Sequence, residues 1–67
     1  MIDIIIAEDN LNYQNSLQKY IRSCINTIKL EARIDLITDN PNNVIKYASE
    51  DNTNTTKVYF LDMKYKK

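Results

Sequence analysis

An α/β fold with three parallel strands, β-α-β-α-β along the chain, is predicted by three observations. Strand-like and helix-like apolar periodicities alternate. The helical segments are long enough to carry parallel crossovers, which are right-handed. Two strands run straight into carboxylates: Ile4-Ile5-Ile6-Ala7 into Glu8-Asp9, and Val58-Tyr59-Phe60-Leu61 into Asp62.

Ile2 to Ala7 is β-branched and almost wholly apolar, interrupted only by Asp3, as suits a central strand covered on both faces. From Leu11 the period lengthens. Leu17, Tyr20/Ile21, Cys24/Ile25 and Ile28 recur every three to four residues, predicting an amphipathic helix of about five turns. Leu30, Ala32, Ile34 and Leu36 then alternate with Glu31, Arg33 and Asp35, the pattern of an edge strand with one wet face. Asn40-Pro41 predicts the next helix start, with Asn40 as cap and Pro41 where its missing donor does no harm. Val44, Ile45, Tyr47 and Ala48 form its expected buried stripe. Asp51 to Thr56 reads as a loop, and Lys57 to Asp62 as the third strand.

The 67 residues are expected to form one small domain, of a size that buries only about 60% of the surface its unfolded chain exposes. Lys+Arg and Asp+Glu both number 9. Neither direct nucleic-acid binding nor membrane association is expected from that balance. With a lone Cys24, no secretory leader and no apolar run approaching the roughly 20 residues of a membrane span, a cytoplasmic location is expected. Cys24 lies on the apolar stripe of the first helix and is expected to be a buried structural thiol. The absence of Gly excludes Gly-rich phosphate cradles, and a chain with no His and one Cys excludes a His/Cys metal centre. Tyr13, Tyr20, Tyr47, Tyr59 and Tyr65 are scattered rather than grouped into a stacking platform.

In parallel α/β sheets the carboxyl ends of the strands form the ligand edge. If the first and third strands are neighbours, Glu8, Asp9 and Asp62 meet there. Three crowded carboxylates repel one another unless a hard cation such as Mg²⁺ lies between them.

With Glu8-Asp9 at one strand end and Tyr59-Phe60-Leu61-Asp62-Met63 at another, the chain resembles the receiver domains of bacterial two-component response regulators. Thr38-Asp39-Asn40-Pro41 looks like the quorum-sensing Agr-type regulators that carry a LytTR DNA-binding domain. The resemblance implies a flavodoxin-like strand order of 2-1-3, with Asp62 as the phosphoacceptor for a sensor histidine kinase. It also implies a Mg²⁺ site made by Asp9, by Glu8 mostly through water, by Asp62 and by the backbone carbonyl of Lys64. Such a domain receives a signal and is not itself an enzyme. Transcription is regulated through the LytTR domain.

The resemblance covers only the first half of a receiver, so residues 1–67 are expected to be a partial, truncated domain. The later strands of a receiver, ending in Ser or Thr and in Lys, have no counterpart. That leaves the third strand as an exposed apolar edge, from which partial disorder or self-association is expected. The alternative function is a non-phosphorylated fragment that binds the kinase, through the helix from Leu11 to Ile28, or the full-length regulator. An inert product of a disrupted gene is a further alternative. A dehalogenase-like phosphatase also places Asp at a strand end, but its second Asp would fall where this chain has Lys64.

Overall fold

The structure, a computed structural model, describes residues 1–51 and 54–62. Its elements are β1 (Ile2–Glu8), α1 (Leu11–Ile28), β2 (Ala32–Thr38), α2 (Pro41–Glu50) and β3 (Thr56–Asp62). The three strands are parallel and ordered β2-β1-β3. This is the flavodoxin-like 2-1-3 topology, with the most apolar strand in the middle.

The alternation of β1 divides its side chains between two faces. Ile4 and Ile6, with Ile2, pack against Leu17, Ile21 and Ile25 of α1. Ile5 points the other way, toward the face covered by α2, and is fully buried. Asn10 caps α1 by accepting from the amides of Asn12 and Tyr13 at 3.0 and 3.2 Å. The helix ends at Lys29, which adopts the left-handed conformation (φ 54°, ψ 42°) and returns its N–H to the Ile25 carbonyl. Glycine normally takes that position. This chain has none to place there.

The second strand departs from expectation. Ile4 pairs with Ile34 but Ile5 pairs with Leu36, so Asp35 is an extra residue in the ladder. The bulge reverses the alternation. Ala32 and Ile34 pack with the α1 core, and after the bulge Ile37 joins them, while Leu36 pairs with Ile5. Strict alternation from Leu30 to Leu36 therefore does not hold, because two residues of β2 oppose one interval of β1. The bulge also brings Asp35 to Tyr47 of α2, whose hydroxyl donates to Asp35 at 2.6 Å. Burial, and then that bond, push the Tyr47 phenol up to about 12.

The predicted cap of α2 is present: Asn40 accepts from the Asn42 amide at 2.9 Å, and Pro41 opens the helix. Its expected stripe is only half covered. Val44 and Tyr47 are half-buried, but Ala48 is exposed and Ile45 is 66% exposed. A sheet of three strands offers α2 too narrow a floor for both sides of its apolar stripe. Cys24 is likewise half-buried rather than fully buried. It lines an apolar groove of about 280 Å³ with Ile4, Ile21, Ile25, Val58 and Phe60. Among the described residues, no helix is long and apolar enough to cross a membrane.

These packing differences give a stability contrast. Ile6→Ala, in the closed core, should cost about 2–5 kcal/mol, whereas Ile45→Ala should stay within about 0.5 kcal/mol of the parent. Denaturant titration of the two variants checks this.

Candidate functional site

The β1–β3 ladder runs in register from Ile2↔Thr56 to Glu8↔Asp62. The last residues of the two strands are thus direct neighbours at the carboxyl edge of the sheet. Glu8, Asp9 and Asp62 line one open cleft of about 240 Å³, together with Asn10 and Tyr13.

The three acids differ in setting. Glu8 is buried, while Asp9 and Asp62 are exposed. The turn into α1 holds Glu8 in place: its carboxylate accepts the Asn10 amide at 3.0 Å, and its carbonyl accepts the Gln14 side-chain amide at 3.2 Å. The Asn10 N–H favours the ionised carboxylate and pulls its pKa down. Burial and the carboxylates of Asp62 and Asp9 outweigh that pull, so the Glu8 pKa is raised. Like charges placed directly opposite across two strands are destabilising. Here that arrangement lies at the mouth of a cleft.

Asp9 also borders a second cleft, of about 420 Å³, between the ends of β1 and β2. Its far wall is organised by the buried Thr38 hydroxyl, which accepts from the Asn40 amide at 3.0 Å and from the Asn43 side chain at 2.7 Å. Thr38-Asp39-Asn40-Pro41 is therefore a hydrogen-bonded turn leading into the capped start of α2.

An all-carboxylate donor set suits a hard divalent cation. The three carboxylates surround an open cleft. Among the described residues, no group of three or more His, Cys, Asp or Glu is gathered tightly enough to hold a metal ion. The expected fourth ligand, the carbonyl of Lys64, lies outside the described residues.

Sequence reasoning missed the supporting contacts, although signals for some were present. Asn10 carries the signature of a helix cap directly after the acidic pair. Asp3 is a lone acid in an apolar strand, and the structure buries it to 1% exposure between cations on both neighbouring strands. Nothing local marks Tyr13 as a wall of the acidic cleft. Comparisons with protein-family models, curated proteins and solved structures find no match to this chain.

The charge arrangement sets a pH dependence. A carboxyl whose pKa is raised by folding contributes stability below its unfolded value, and that contribution is lost as the pH rises through the folded value. Without divalent cations, Asp62→Asn should therefore raise the melting temperature at pH 7 and change it little at pH 4. Carboxyl NMR titration should also show the Glu8 pKa falling in that variant.

Proposed function

We propose that this chain is a receiver-type phosphoacceptor, in which Asp62 takes a phosphoryl group from the phosphohistidine of a sensor kinase. A carboxylate oxygen of Asp62 attacks phosphorus, the P–N bond breaks, and its electron pair returns to the imidazole, which is reprotonated. The product is an acyl phosphate on Asp62. The resemblance assigns Mg²⁺ to Glu8, Asp9 and Asp62, where it would shield the negative charge of the transferred group; among the described residues these carboxylates line the cleft without closing on an ion.

The observation that carries this reading is the in-register pairing of Glu8 with Asp62 at the carboxyl edge, in a cleft shared with Asp9. Asp62 is exposed and so can meet a donor carried by another protein. Glu8 is held by the Asn10 amide and keeps a second carboxylate beside the acceptor. A cytoplasmic site of action accords with kinase-coupled chemistry. Control of transcription through an attached LytTR domain extends the proposal along the resemblance.

Incubation with acetyl phosphate and Mg²⁺ should add one phosphoryl group, read by intact mass and removed by hydroxylamine. Asp62→Asn should abolish the gain, and Asp9→Asn should reduce it by at least about tenfold. Label that persists in Asp62→Asn would overturn the assignment.

A second reading, strand-mediated self-association, is favoured by the contrast between the two sheet edges. The β2 edge carries Arg33, Asp35 and a bulge, all devices that discourage strand addition. The β3 edge presents Val58, Tyr59, Phe60 and Leu61, all exposed, with Leu61 at 62%. The occupant we assign to this edge is a second copy of the chain. Antiparallel pairing about Tyr59 overlaps the whole of β3 and sets Val58 of one copy against Phe60 of the other, and the zero net charge opposes no approach. Sedimentation should show a concentration-dependent dimer that Leu61→Lys returns to monomer.

A further inference from the structure

The β1–β3 register that brings Glu8 to Asp62 is only partly specified by apolar packing. Ile2, Ile4 and Ile6 lie on the α1 face of β1, and Val58 and Phe60 line the same apolar groove from β3. A two-residue slide of β3 keeps every side chain on its own face. Slid one way, Ile2 and Ile4 keep apolar partners in Val58 and Phe60 while Ile6 meets Asp62; slid the other way, Ile6 keeps Val58 while Ile4 meets Thr56. Moreover, the native register sets Glu8 beside Asp62, a repulsive pairing that sliding would relieve. A polar contact that reads the register directly would add to this partial apolar preference.

The geometry points to Asp3 and Lys57 as the positioning pair for the proposed phosphoacceptor, an ion-paired lock at the opposite end of the ladder that sets Asp62 against Glu8. Asp3 is the Cα partner of Arg33 on β2 and of Lys57 on β3. One carboxylate oxygen accepts from Arg33 Nε at 2.7 Å. The other accepts from Lys57 Nζ at 2.7 Å and from the Thr55 hydroxyl at 2.6 Å. Lys57 Nζ and Thr55 Oγ1 also bond each other, so Asp3 meets a connected group of donors. The Lys57 side chain is itself largely buried, at 11% exposure, with its ammonium beside Asp51 and 5.9 Å from the Tyr47 ring centroid.

Distance makes this a lock rather than a general attraction. Each strand residue advances about 3.3 Å. A two-residue slide would carry Lys57 roughly 6–7 Å along β1, beyond direct bonding to Asp3. A carboxylate at 1% exposure would then lose its principal partner, and breaking a buried pair from one side is strongly unfavourable. Arg33 cannot take over the selection, because it lies on β2 and reports nothing about β3.

The consequence at Asp62 rests on the phosphoacceptor reading, whereas the register does not. The test therefore reads them separately. Cross-strand NMR contacts and amide exchange would be measured in the wild type, Lys57→Arg, Lys57→Met and the double variant Asp3→Asn/Lys57→Met. The double variant leaves no buried unpaired carboxylate at this position, so it remains informative if Lys57→Met alone unfolds.

Lys57→Arg should keep the native Glu8–Asp62 neighbours. The double variant should keep its circular-dichroism spectrum while those contacts weaken or divide between registers. Phosphoryl acceptance from acetyl phosphate should fall by about a hundredfold in the double variant, as expected for a misplaced reacting group, and be preserved in Lys57→Arg. A single native register in the double variant overturns the lock. A shifted register in a chain whose wild type takes no phosphoryl group upholds the lock and removes the phosphoacceptor reading.

Discussion

Asp3 is the point on which the sheet turns. A carboxylate in the middle of an apolar strand, almost without solvent, is tolerable only if its oxygens are bonded and its charge is matched. Both conditions are met by residues from the two flanking strands, Arg33 on one side and Thr55 and Lys57 on the other. These partners depress the Asp3 pKa far below the usual carboxylate range, Lys57 most strongly, so the group stays charged throughout the neutral range. One side chain thereby ties all three strands together near the amino ends of β1 and β3.

The opposite end of the same ladder has the reverse character. Glu8 and Asp62 are neighbours of like charge, and burial with that repulsion raises the Glu8 proton affinity. Attraction at one end holds a repulsion at the other. Asn10 adds to that hold by tying the Glu8 carboxylate to the start of α1.

The edges of the sheet divide in the same manner. The bulge at Asp35 breaks the β2 edge and at the same time supplies the acceptor for Tyr47, linking edge protection to the seating of α2. Among the described residues the apolar side chains of β3 have no comparable cover. The groove between α1 and β3 belongs to this uncovered side, which explains why Cys24, on an otherwise core-facing stripe, is only half-buried.

Element order, strand direction, the Asn40 cap of α2 and the placement of Glu8, Asp9 and Asp62 at strand ends were legible from the sequence, because periodicity and capping depend on residues within a few positions of one another. The bulge at Asp35, the half-empty stripe of α2 and the bonding of Asp3 were not. Each depends on what stands opposite in space: the spacing of the β1 ladder, the width of a three-stranded floor, and a lysine 54 residues away. Sequence by itself determined which residues could reach the carboxyl edge. Only the tertiary structure decided the register in which they meet, because a slide by two residues leaves every local pattern intact and changes only through-space pairs.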